Sequence, residues 1–161
     1  RRITVSTAGL SKQIIKLADD QVRFNLAVSL HSAIDEVRSD LMPLNDSINL
    51  TTLRDSIRYF HEKTNSRITY EYILFKDVND NLDDARKLAS FCKVSPCKVN
   101  LIEYNPVEGI DFEKSSNLSI NIVLLKALEL NPPDRFIRSE TVSFFFISNN
   151  DNCLNPLTSS V

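Results

Sequence analysis

The sequence predicts an α/β protein in which strand and helix alternate around a parallel sheet, forming part of a (β/α) barrel. Three observations predict this. Short β-branched or apolar runs alternate with amphipathic stretches at helical spacing over residues 1–130. The resulting order, β-α-β-α-α-β-α-β-α, implies parallel strands joined by right-handed crossovers. Three strand ends carry polar groups, in Val5-Ser6-Thr7, Val28-Ser29-Leu30-His31 and Tyr104-Asn105-Pro106, where packing alone asks for apolar ones. In βα architectures ligands collect at the C-terminal ends of the strands.

Taken in order, Ile3 to Thr7 predicts a strand, and Leu10 to Leu17 a helix whose apolar side is Ile14, Ile15 and Leu17. Phe24 to Leu30 is the second strand. Phe24, Leu26, Val28 and Leu30 fall on the face that meets helices; Asn25, Ala27, Ser29 and His31 fall on the opposite, inward face. Asp35 to Leu41 is a short helix stopped at Pro43, which lacks the donor the ladder needs. Leu50, Leu53, Ile57 and Phe60 recur at helical spacing to about Lys63, with Asn49 or Thr51 as cap. Ile68 to Phe75 is the third strand. Leu82, Ala85, Leu88, Ala89 and Cys92 mark a further helix, capped by Asn79 or Asp80. Lys98 to Tyr104 is the fourth strand, and Ile120 to Leu130 the last helix.

From Asn131 the pattern is lost: Asn131-Pro132-Pro133 breaks the helix, and the run from Ser143 to Asn150 has neither helical nor strand periodicity. The domain division expected is residues 1–130 as the barrel part and 131–161 as a divergent, poorly specified tail, which suggests a truncated, alternatively spliced or frame-shifted product.

The 161 residues, 42% hydrophobic and 25% charged, suit one soluble domain. A net charge of −2 supplies no global basic field for nucleic acid or anionic membrane, so a nucleic-acid partner needs a local patch or another domain. Three cysteines without a signal peptide suggest reduced thiols, in cytosol or an organelle matrix. The apolar stretch at 142–147 is too short to span a bilayer.

Ser6, Ser29 and Asn105 each have an ordinary alternative as cap or turn residue. His31 shares the inward face with Ser29. On one parallel sheet the four gather at one edge. Hydroxyls, an imidazole and an amide suit neutral hydrogen bonding to a nucleoside-like or amino-acid-like ligand. No GxGxxG or GxxxxGK segment is present for phosphate. Glu71, in the middle of the third strand, reads as an internal pair or a ligand contact. Cys92 and Cys97 lack partners at metal-ligand spacing, and His61 reads as a solvated helix residue.

Five segments in order resemble one family: Arg2 to Gly9, Leu26 to His31, Arg38 to Asn45, Thr69 to Leu74 with Val78-Asn79-Asp80, and Pro96 to Pro106. They are similar to the C-terminal half of the RlmN/Cfr radical S-adenosylmethionine methyltransferases, which methylate C2 of an adenosine in 23S ribosomal RNA. The likeness runs to about Asn117. It implies a partial barrel in which Ser6, Ser29, Leu30, His31 and Asn105 bind S-adenosyl-L-methionine, with Asn100 a nearby alternative to Asn105. It also implies a 4Fe-4S cluster held by a CxxxCxxC motif, which this sequence lacks, so no catalytic or metal residue is assigned within it. Arg138 matches the family's strand arginine, but Cys153 stands without the flanking glycine of the family's methyl-carrying cysteine and is given no such role. The expected function is the cofactor-binding wall of an RNA methyltransferase acting on 23S rRNA and also tRNA; the alternative is a non-catalytic nucleoside-binding or structural fragment. A monomer is expected, with no membrane association, in the cytoplasm or a plastid or mitochondrial matrix.

Overall fold

The computed structural model describes residues 3–129 and 138–139, and the side chains of residues 3–123. The elements are β1 (Thr4–Thr7), α1 (Ser11–Asp19), β2 (Asn25–Ser29), α2 (Asp35–Leu41), α3 (Leu50–Thr64), β3 (Ile68–Leu74), α4 (Leu82–Phe91), β4 (Cys97–Glu103), α5 (Asn117–Glu129) and β5 (Arg138–Ser139). Short 3-10 turns cover Pro43–Asp46 and Cys92–Val94. Every neighbouring pair in the sheet is parallel, and the strands lie in chain order, β1-β2-β3-β4-β5. Helical crossovers that always step in one direction curl such a sheet toward a barrel.

Alternation along the strands separates two faces. Leu26, Val28 and Leu30 of β2 and its exit, Ile68, Tyr70, Tyr72 and Leu74 of β3, and Cys97, Val99 and Leu101 of β4 are buried in one core with Ile14, Leu53, Ile57, Phe60, Leu88 and Phe91 of the helices. Each fully buried side chain of this size contributes about 1.5–3 kcal/mol of transfer free energy. The other face carries Ser6, which is exposed, Ala27, which is buried, and Ser29, Thr69, Glu71, Lys98 and Asn100, which are half-buried. Within β2 the assigned alternation holds for Leu26 and Val28 against Ala27 and Ser29, whereas Phe24, Leu30 and His31 lie outside the strand, His31 in a left-handed turn.

Local chemistry sets the boundaries. Asn49 caps α3 by accepting from the Thr52 N–H, and Asn65 ends it in the left-handed conformation. Met42 leaves helical geometry ahead of Pro43 and ends α2. The cap of α4 differs from expectation: it is Asn81, in a capping box with Asp84, rather than Asn79 or Asp80. Asn79 is instead buried in the turn after β3, where its amide serves three backbone groups. The last helix begins at Asn117, earlier than Ile120, because the Ser116 hydroxyl accepts from the Ser119 N–H at its start. The two-residue β5 was not anticipated from periodicity, although it holds Arg138, which the resemblance matches to a strand arginine. Cys153 and the stretch at 140–161 lie outside the described residues, as does the tail division made at residue 131 apart from β5.

Candidate functional site

The strand register sorts the predicted residues. Ser29, Glu71, Asn100 and Arg138 stand in one cross-strand row, and Ser6, Ala27, Thr69 and Lys98 in the row below it on the same open face. The upper row stands at the C-terminal end of β2 and in the middle of β3 and β4, whose Ile73 and Ile102 carry the same face on toward the strand ends. The Glu71 carboxylate accepts from Asn100 Nδ2 at 2.7 Å, so an acid in this face is partnered by an amide.

Beyond β1 the chain turns on the Thr7 hydroxyl, which accepts from the Gly9 and Leu10 N–H groups. Gly9 holds φ +104°, and a Cβ there would stand 3.1 Å from Arg38 Nη2 and 3.2 Å from Leu53. That closeness reveals the organiser of the rim. Arg38 of α2 is 1% exposed. It donates to the Leu30 carbonyl (3.1 Å), the Ala8 carbonyl (3.0 Å), the Ser29 carbonyl (3.3 Å) and Asn45 Oδ1 (2.7 Å). Asn45 in turn donates to the Asp35 carbonyl, Asp35 Oδ1 and Ser39 Oγ, and Asp35 Oδ1 also accepts from the Leu50 N–H. Burial pulls Arg38 below its ordinary value and the Asp35 charge pushes the other way. One planar fork thus fixes the exits of β1 and β2 relative to each other.

His31 lies two residues past β2 with φ +54°, in the left-handed region. Its Nδ1 accepts from the Ile73 N–H at 3.2 Å, and its carbonyl accepts from Asn79 Nδ2 at 2.6 Å. Burial, with a smaller contribution from the Arg38 charge, lowers its pKa from 6.5 to about 4. The far side of the rim is an aromatic floor: Phe75 packs against Tyr104 at 4.9 Å and Phe112 at 4.5 Å between ring centres. The loop bearing Phe112 is pinned by Lys76–Glu113 and Lys114–Glu103 ion pairs.

The structure therefore sets Ser29 in one cross-strand row with mid-strand Glu71 and Asn100, and His31 just past the end of β2 beside Ile73. Ser6 is exposed on the open face one row below Ser29, and Asn105 is exposed in the loop just past β4. The Leu30 side chain is wholly buried on the helix side; its N–H donates to the Glu71 carbonyl and its carbonyl takes Arg38 and the Ser32 N–H. Arg38, Asn45 and Asn79 were missed as rim-builders. All three stand in segments quoted for the resemblance, and Asn79, beside Asp80 and Asn81, reads locally as a helix cap. Among the described residues no group of three or more His, Cys, Asp or Glu side chains is arranged to hold a metal ion, and no helix is long and apolar enough to cross a membrane. Cys92 and Cys97 are both buried.

No family model matches the chain. Among solved structures it is similar to a radical SAM methyltransferase from Sphaerobacter thermophilus, with a TM-score of 0.79 and 37% identity over 86% of this chain and 40% of that one. A domain of pyruvate-formate lyase-activating enzyme from Bacteroides vulgatus shares the fold, with a TM-score of 0.65 at 14% identity. The one-directional parallel sheet is the partial-barrel fold that the chain shares with these radical SAM enzymes. Curated relatives are more specific. The chain is 53% identical over 131 residues to the probable dual-specificity RNA methyltransferase RlmN of Flavobacterium psychrophilum, covering 81% of this chain and 38% of that protein. It is 50% identical over 123 residues to that of Salinibacter ruber and 48% over 120 residues to that of Staphylococcus aureus, covering 33% of each. The chain is a homologue of the RlmN proteins, matching a C-terminal-side part of them, and it spans little more than a third of their length.

Proposed function

We propose that the chain supplies the S-adenosyl-L-methionine-binding wall of an RlmN-type RNA methyltransferase, which transfers a methyl group to C2 of an adenosine in 23S rRNA and in tRNA. The observation that carries this reading is that Ser29, Glu71 and Asn100 share one cross-strand row, with His31 just past the end of β2 bonded to the neighbouring Ile73 N–H of β3. A hydroxyl, a neutral imidazole, a carboxylate and an amide match the hydroxyls, ammonium, carboxylate and ring edge of a nucleoside joined to an amino acid. Ser6 and Asn105 extend the same contact set below and beyond the rim. S-adenosyl-L-methionine fits these donors and acceptors. The 4Fe-4S cluster of the class does not fit the residues described here, since neither buried cysteine belongs to a ligand group. The chain's own work is then to bind and orient the cofactor.

Calorimetric titration of S-adenosyl-L-methionine into the chain tests the reading. Saturable binding is expected, weakened about fivefold or more by Ser29→Ala, which removes one hydrogen bond from the ligand. Absence of heat from the wild-type chain would leave the structural-fragment reading in its place.

A further inference from the structure

His31 has two ring nitrogens, and the backbone decides which one carries the proton. The Ile73 N–H can only donate, so Nδ1, its partner at 3.2 Å, must be the unprotonated acceptor. The proton of the neutral ring therefore sits on Nε2, which has no protein partner among the described residues. The other histidine is arranged the opposite way. His61 Nδ1 lies 2.9 Å from the Ser66 carbonyl, which can only accept, so that ring is protonated at Nδ1.

The ring of His31 can hold this aim only if the chain beneath it stays in its left-handed conformation, which a non-glycine residue adopts at some cost. Asn79 supplies the restraint. It is fully buried, donates from Nδ2 to the His31 carbonyl (2.6 Å) and the Ile73 carbonyl (2.8 Å), and accepts at Oδ1 from the Phe75 N–H (2.7 Å). One amide so ties the residue that bears the imidazole to the residue whose N–H fixes its tautomer.

We propose that Asn79 is a positioning residue that holds His31 as an Nε2-protonated imidazole, whose free N–H donates to a lone-pair atom of the cofactor, a carboxylate oxygen or ring nitrogen. This rests on the cofactor reading given above. It gives His31 the role of a fixed neutral donor and withholds from it the role of a general base, because its one unprotonated nitrogen is occupied.

Two-bond 1H–15N spectra of the histidine rings in the 15N-labelled chain test it. At pH 7 His31 is expected as the Nε2–H form and His61, an internal control, as Nδ1–H. Adding S-adenosyl-L-methionine is expected to shift the His31 Nε2 signal saturably and leave His61 in place. Asn79→Asp keeps the acceptor for Phe75 but removes both donors; it is expected to mix the His31 tautomers and weaken binding about fivefold. His31→Gln, which restores an amide N–H, is expected to bind more tightly than His31→Ala, so a poorly folded Asn79→Asp does not silence the test. A His31 proton on Nδ1, an unmoved Nε2 signal in the bound chain, or an Asn79→Asp variant with unchanged tautomer and affinity would each overturn the inference. Failure of the wild-type chain to bind would instead overturn the cofactor reading, with the ring signals still judging Asn79.

Discussion

Protonating His31 costs the ring its bond from the Ile73 amide, since a protonated Nδ1 cannot accept, and sets a second charge near Arg38 in a half-buried place. Burial first, and the Arg38 charge second, lower the His31 pKa to about 4. The unfolded chain, with an ordinary value near 6.5, binds the proton more readily, so stability rises with pH across the interval between the two values and falls as pH drops through it. Urea unfolding is expected to lose about 2 kcal/mol between pH 7 and pH 5 through this one group. The His31→Gln chain is expected to lack that part of the loss; equal losses in the two chains would contradict the assignment. At this scale the sequence told half the story. Ser29 was legible because a strand alternates strictly, whereas His31 lies past the end of β2 in a left-handed turn that alternation does not reach. Arg38 was not: it lies among Asp35, Glu36 and Asp40, where a cation reads as part of a solvated helix face, and only the tertiary approach of the Ala8, Ser29 and Leu30 carbonyls makes its burial favourable.

At the scale of the element, strands and helices were legible where periodicity is strong, and their ends where one residue has a single local use. Asn49 and Pro43 are of that kind. The start of α4 is not, because Asn79, Asp80 and Asn81 follow one another and any of the three can cap a helix. What separates them is tertiary: Asn79 is drawn into the β3 turn and Asp80 Oδ1 accepts from the Asp77 N–H, which leaves Asn81 for the helix. β5 left no trace in the periodicity because two residues have no period. If the capping box is as drawn, Asn81→Ala is expected to destabilise the chain by about 1 kcal/mol in urea unfolding while leaving cofactor affinity unchanged, since α4 starts on the helix side of the sheet. Asn79→Ala should instead disturb both.

For the whole molecule the consequence of a parallel sheet is polarity: one end gathers the strand exits and the other the strand entries. The exit of β2 holds Ser29 and His31, and Glu71 and Asn100 lie in the same face midway along β3 and β4. The entry end holds a groove lined by Gln21, Arg23, Lys63, Ser66 and Arg67, at the C-terminal turn of α3. Its cations answer the negative end of a helix dipole, which is reason enough for them to be there. If the division of labour is real, a ligand that binds only the folded chain must stabilise it through the exit end alone. At a concentration a hundredfold above its dissociation constant such a ligand adds about 2.7 kcal/mol to the unfolding free energy. S-adenosyl-L-methionine is therefore expected to raise the urea midpoint of the wild-type and Lys63→Ala chains alike. The gain should shrink in Ser29→Ala at the same ligand concentration. A gain abolished by Lys63→Ala and kept by Ser29→Ala would move the ligand to the opposite end of the sheet, and with it the cofactor reading would fall.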